Sequence, residues 1–194
     1  MSDTPLETMN LETGTLDAGS LDTGTLYSTL LPSPVGELTL IGGSAGLRAV
    51  LWHGEGVDRA TIGGDVTPVA TPSGVPVLAV AVTQLDEYFA GTRVEFDLPL
   101  DPHGTPFQQQ AWMVLRSIAY GETISYGEQA RRLGDVNKAR AVGAANGRNP
   151  LSIIVPCHRV VGSSGKLTGF AGGLDNKAWL LQHEFEVAAA ATIR

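Results

Sequence analysis

From Leu26 to Trp52 the apolar positions fall into short runs broken by turn residues, and further along they recur at helical spacing. Leu26–Leu31, Leu38–Ile41 and Leu47–Trp52 are separated by Pro32-Ser33-Pro34 and by Gly42-Gly43-Ser44-Ala45-Gly46, which predicts an antiparallel meander. Residues 54–74 are rich in Gly, Pro and Thr and read as a loop. Val77, Leu78, Val82, Leu85 and Phe89 keep one face of a helix that stops at Gly91. Val94–Leu98 alternates apolar and polar side chains, so a further strand is expected there. Residues 25–100 thus read as a small α+β domain without recognisable chemistry. Ahead of them, residues 1–24 repeat Leu, Thr, Gly and Asp with no aromatic residue and no helical period, which predicts a mobile leader.

Asp101-Pro102-His103-Gly104 is a turn-rich linker, and helices follow it. Thr105-Pro106-Phe107-Gln108 supplies an N-cap, a proline at the first helical position and a glutamine at the third, for a helix reaching about Tyr120. Ser125-Tyr126-Gly127-Glu128 is a second capping box, opening a helix to Leu133. Asn137 is placed to cap a third, from Lys138 to about Gly147, before Asn149-Pro150 breaks it. Two short helices around a Gly-containing turn fit a helix-turn-helix. This second domain spans 105–186 and leaves 187–194 as a tail.

Charge separates the two halves. Net charge is −7, yet residues 1–30 carry five acids and no Lys or Arg, 31–104 nine acids and three bases, and 105–194 six acids and ten bases. The basic half is therefore the one suited to a polyanion. No apolar run is long enough for a membrane helix, and the N-terminus lacks a secretory pattern. A single cysteine excludes an internal disulfide and offers no metal-ligand spacing; a cytoplasmic, monomeric protein without metal or cofactor is expected.

Chemistry concentrates in Ile153-Ile154-Val155-Pro156-Cys157-His158-Arg159-Val160-Val161. An apolar run delivers the lone cysteine beside a histidine and an arginine, so the thiol should sit at the edge of the core. A free thiol is only a few per cent thiolate at neutral pH, so a nucleophile here needs a base, and His158 is adjacent. Glu184 can orient and charge-balance that histidine. His53 and His103 fall in loops, and His183 reads as structural.

Residues 105–185 resemble the catalytic domain of the O6-alkylguanine-DNA alkyltransferases. The resemblance is carried by Ile124-Ser125-Tyr126, Ala139-Arg140-Ala141-Val142-Gly143, Asn149-Pro150, Pro156-Cys157-His158-Arg159-Val160, Gly172-Gly173-Leu174 and Lys177–Glu184. It implies an α+β protein: a small ribonuclease H-like N-terminal α/β domain joined to a mainly helical, winged helix-turn-helix-like catalytic domain. It also implies irreversible transfer of the alkyl group of O6-alkylguanine in double-stranded DNA to Cys157. O4-alkylthymine is a further substrate to consider. The target base must leave the stack to be reached. Arg140 would fill the gap it leaves, and Ala139, Ala141, Gly143 and Ala144 would allow the helix close to the minor groove. Tyr126 would assist flipping and donate to guanine N3. Asn149 would organise the turn before the site, and His158 would reach Glu184 through water. Val155 and Val160 would contact the base through their backbone, and Phe170, Ala171 and Lys177 would complete the pocket.

Phe170 and Ala171 stand where relatives carry tyrosine and serine, which predicts a more apolar pocket lip. Two other classes compete with this reading. One is a cysteine hydrolase or acyltransferase with a Cys-His-Glu set, told apart by turnover. The other is a non-catalytic binder of alkylated DNA, against which Cys157 itself argues. A transcription regulator would require a further DNA-binding module.

Overall fold

The computed structural model describes residues 24–54 and 60–192. All but the last residue of the leader expected over 1–24 lies outside them. The meander forms as β1 (Leu26–Leu31), β2 (Leu38–Gly43) and β3 (Gly46–Trp52), antiparallel with partners such as Thr29↔Leu40 and Leu40↔Val50. The segment read as a loop over 54–74 contains a short strand, β4 (Val66–Pro68), parallel to β1 and completing a sheet of order β3-β2-β1-β4. Its backbone pairs with the open edge of β1, where Val69 N donates to Ser28 O. Helix α1 (Pro76–Phe89) buries Leu78, Ala81, Leu85 and Tyr88 in the core shared with the sheet.

No strand forms over Val94–Leu98. The backbone of Asp97 is bonded instead to the buried side chain of Gln84, which accepts from its N–H at 2.9 Å and donates to its carbonyl at 2.7 Å. The edge of β3, where such a strand could have added, is taken by two other segments. Leu47 N donates to Pro99 O and Asp101 N to Leu47 O, while Val50 N donates to Pro150 O. An edge of unpaired backbone groups is thereby covered, and one of the covering pieces is the loop that leads to Cys157. Trp52 ties the same loop down by donating from Nε1 to Ser152 Oγ at 3.0 Å.

Helix α2 (Pro106–Arg116) begins with the full capping box of Thr105 and Gln108. It ends four residues short of Tyr120, because the segment after it serves other partners: Ile118 O accepts from Arg159 and Gly121 N donates to Glu184. Strand β5 (Ile124–Ser125) leads into α3 (Tyr126–Arg132), where Ser125 accepts from Glu128 N. The side chain of Glu128 does not return the bond. It pairs with Arg131 and Arg132, which hold its carboxyl down to about 2. Asn137 is not the cap of the next helix: Asp135 caps a short 3-10 turn over Val136–Lys138, and α4 (Ala139–Gly147) starts after it. Strand β6 (Val160–Val161) pairs with β5 in parallel, and α5 (Gly173–Thr192) closes the fold, continuing through most of the expected tail.

An amide pair locks α3 on α4. Gln129 Nε2 donates to Asn146 Oδ1 at 3.0 Å, Asn146 Nδ2 donates to Gln129 Oε1 at 2.8 Å, and Gln129 also reaches Ala111 O on α2. Gln129→Leu leaves the Asn146 amide without its partner in the interior, so it should destabilise the fold by about 1–3 kcal/mol. Urea unfolding measures this, and an unchanged midpoint would contradict the packing described.

Candidate active site

Three local devices bring the reactive groups together. The first is the turn before the cysteine. Asn149 Nδ2 donates to Val155 O at 2.8 Å and its Oδ1 accepts from Leu151 N at 3.0 Å, pinching residues 149–155 into a closed loop. Inside it Ile153 has φ +72°, with Ile154 N bonded to Ser152 O at 2.9 Å. This is a tight turn at a β-branched residue, strained by about 1–3 kcal/mol and tolerated because the loop is fixed on both sides. The second device is the two-residue ladder Ile124↔Val160 and Ser125↔Val161, which places Tyr126 beside the turn Cys157–Arg159. The third is α5, which carries Lys177 and Glu184 into the interior.

Cys157 is buried but lies on the wall of a cavity of about 410 Å³ that it shares with Tyr126, Gly143, Asn146, Thr168, Phe170 and Ala171. That size is within the roughly 300–1,000 Å³ of small-molecule pockets. A cavity of about 460 Å³ lined by Tyr120, Pro156 and Arg159 does not include the cysteine. His158 and Glu184 are fully buried and in direct contact, Nε2 to Oε1 at 2.8 Å, so no water intervenes between them as the resemblance implied. A carboxylate only accepts, so Nε2 must carry the ring proton, which leaves the lone pair on Nδ1. Nδ1 is buried and has no hydrogen-bond partner among the described residues, which makes it the ring atom able to accept a proton.

Glu184 collects donors on both oxygens. Oε1 accepts from His158, from Tyr88 OH at 2.8 Å and from Arg159 Nη2 at 3.0 Å; Oε2 accepts from Arg159 Nε at 2.8 Å and Gly121 N at 3.1 Å. Burial works to raise its pKa, but the hydrogen bonds and charges of His158 and Arg159 outweigh it and hold the carboxyl well below the usual range. For His158 burial dominates and lowers the pKa; Glu184 opposes, and Arg159 and Lys177 add to the lowering. The imidazole is therefore neutral at pH 7, the form a base requires.

Arg159, although close to Cys157 in sequence, is turned towards Glu184. It is spent on Glu184, donates to Ile118 O at 2.7 Å and lies over the Tyr120 ring. Lys177 donates to Val160 O at 2.7 Å and Thr168 O at 2.9 Å, with its ammonium 5.9 Å from the rings of both Tyr126 and Phe170. It ties Thr168, which lines the cavity, to Val160 behind it. Val155, Val160 and Lys177 do not line the cavity; the carbonyls of the two valines are engaged by Asn149 and Lys177. Tyr126, Phe170 and Ala171 do line it, and Tyr126 OH makes one long bond to Thr168 O at 3.3 Å. On α4, Arg140, Ala141 and Ala144 are exposed and Ala139 and Gly143 half-buried, while Ala145 turns inward and accepts from Trp112.

Sequence reasoning missed Tyr88, Trp52, Ile153 and Thr168. Only Tyr88 left a trace, as a polar-tipped residue one turn from Leu85 on the apolar face of α1. The N-terminal domain is thus not without a part in the site. Among the described residues no group of three or more His, Cys, Asp or Glu side chains is placed to hold a metal, and no helix is long and apolar enough to cross a membrane.

Two family models match the chain: the ribonuclease-like domain of 6-O-methylguanine DNA methyltransferase over residues 26–102, and its DNA binding domain over 106–186. A methylated-DNA–protein-cysteine methyltransferase of Mycolicibacterium paratuberculosis is 48% identical over 152 residues, 78% of this chain and 88% of that protein. One from Methanosarcina acetivorans is 44% identical, over 81% of this chain and 97% of its own length. Among solved structures, Mycobacterium tuberculosis OGT in complex with DNA superposes with a TM-score of 0.74 at 45% identity, covering 83% of this chain and 94% of that one. With both domains matched in order and the cysteine, histidine and glutamate assembled as described, the chain belongs to the 6-O-methylguanine DNA methyltransferase family.

Proposed function

We propose that this chain repairs O6-methylguanine in DNA by moving the methyl group to Cys157, once and irreversibly. The observation that carries the proposal is the placement of the Cys157 thiol on a cavity wall, next to a buried neutral histidine whose tautomer Glu184 sets. His158 Nδ1 takes the thiol proton, and the sulfur attacks the methyl carbon from the cavity. The S–C bond forms as the C–O6 bond breaks, and its electron pair returns to the purine. Tyr126 donates its hydroxyl hydrogen to the ring at N3 and is restored by the proton held on His158, so the hydrogen lost by the thiol ends on guanine. The product is a thioether, which water does not cleave, so the protein is consumed. A hydrolase would instead pass through a thioester and turn over. Nothing in the step requires a cofactor.

The base reaches this cavity only outside the duplex. α4 is suited to deliver it: Ala141 and Ala144 leave room for the sugar-phosphate edge, and exposed Arg140 is long enough to occupy the vacated stack. Asn149 keeps the thiol loop in register, and Phe170 and Ala171 give the lip its apolar character. The protein is proposed to act as a monomer on double-stranded DNA in the cytoplasm.

Intact-mass measurement after incubation with methylated duplex should find the protein heavier by one CH2, located on Cys157 and absent in Cys157→Ala. Full repair by a protein of unchanged mass rules the transfer out. Arg140→Ala should slow reaction with duplex substrate at least tenfold while leaving reaction with free O6-benzylguanine within about twofold, since a lost base-stack contact is worth about 1–3 kcal/mol. Equal losses on both substrates would remove Arg140 from flipping. The relay also leaves a mark on stability. Both folded pKa values are depressed, so the unfolded chain binds more protons, and stability is lost as pH falls. The His158 contribution is complete above 6.5 and declines below it, and that of Glu184 declines below 4.5. His158→Gln should abolish the first decline in urea midpoints taken between about pH 8 and pH 5; parallel curves would contradict a neutral buried imidazole.

A further inference from the structure

Helix α1 of the N-terminal domain carries a side chain that ends on the carboxylate of the proton relay. Tyr88 is fully buried, and its hydroxyl donates to Glu184 Oε1 at 2.8 Å, the same oxygen that faces His158 Nε2 at 2.8 Å. The residue is fastened at its other end too, because its carbonyl accepts from His183 Nε2 at 2.8 Å. Consecutive residues of α5 thus hold it by backbone and by side chain. Its ring packs against Phe89, Phe96, Tyr120 and His183, with centroids 5.4 to 6.0 Å away, so the hydroxyl has no other direction to take.

We infer that Tyr88 is a positioning residue of the alkyl-transfer site: by donating to Oε1 it competes with His158 for the carboxylate and keeps the imidazole from being gripped as a cation. The inference rests on the reading of His158 as the base. An oxygen that already accepts from a hydroxyl and a guanidinium offers less charge to the histidine. Burial and the nearby carboxylate push the Tyr88 pKa up, so the hydroxyl remains a donor throughout the working range. The charged and titratable groups around His158 are Glu184 and Lys177 from α5, Cys157 and Arg159 on its own turn, and Tyr88 from α1, with Tyr120 beyond Arg159. Of these only Tyr88 comes from the N-terminal domain, and it shares the histidine's own oxygen with Arg159.

The test is Tyr88→Phe in the full chain, which keeps the ring packing and deletes the donor. Nitrogen NMR of labelled histidine should show His158 titrating at a higher pH in the variant. The acid limb of the self-methylation rate should move with it. A shift of half a unit makes the rate on the acid side about threefold lower, since one unit is tenfold in proton occupancy, while duplex affinity stays as it was. In a Glu184→Gln background the same substitution should move neither. An unmoved His158 titration overturns the inference even if the variant melts lower, because a purely structural role predicts only that. A wild-type protein that accepts no methyl group sinks the reading of the site instead, and the NMR titration still decides the role of Tyr88.

Discussion

A carboxylate sits fully buried in the interior, and the groups around it are arranged to make that tolerable. Glu184 would cost several kcal/mol to bury alone. It accepts from His158, Arg159, Tyr88 and the Gly121 backbone, which supplies donors to both oxygens. Meeting that demand shapes the chain over long distances. α2 stops early so that the residues after it turn their backbone towards Arg159 and Glu184. Gly121, at φ +77°, lets the chain pass close to α5, where a Cβ would meet Ala188 at 3.1 Å. α1 crosses from the other domain to bring Tyr88.

The same arrangement explains why a histidine beside an anion remains uncharged. Arg159 neutralises Glu184 in a two-pronged pair, and burial penalises a second cation in the same place. The carboxylate then acts on His158 chiefly through geometry: it fixes which ring nitrogen bears hydrogen and which keeps its lone pair. Lys177 plays the matching part on the other side of the turn, tying Val160 to Thr168 on the cavity wall. Strain at Ile153 is tolerated within the same frame, since Asn149 and the β3 edge fix the loop at both ends.

The two domains are accordingly one working unit. The edge of β3 pairs with residues 150–152, Trp52 bonds Ser152 and packs edge-on against Phe170 at 5.4 Å, and Tyr88 reaches Glu184. The acidic half of the chain supports the loop and lip from behind, while the basic half presents α4 outward. Net negative charge and a nucleic-acid partner are compatible because the charges are segregated along the chain.

Much of this was legible from residue order alone. The strand meander, the α1 face, the Thr105 and Ser125 caps, and the juxtaposition of Cys157 with His158 all follow from local patterns. Periodicity, caps and adjacent reactive groups are properties of neighbours in the chain. Tertiary contacts decided the rest. The alternation over Val94–Leu98 failed as a strand because Gln84 took the backbone of Asp97 and other segments took the β3 edge. α2 ended early for the sake of Arg159 and Glu184, and Arg159 pairs with a carboxylate 25 positions away. Tyr88 lies 96 positions from Glu184, and no local pattern encodes a hydrogen bond across that separation. Such bonds are set by which buried polar groups have no nearer partner once the core has closed, and that is settled only in three dimensions.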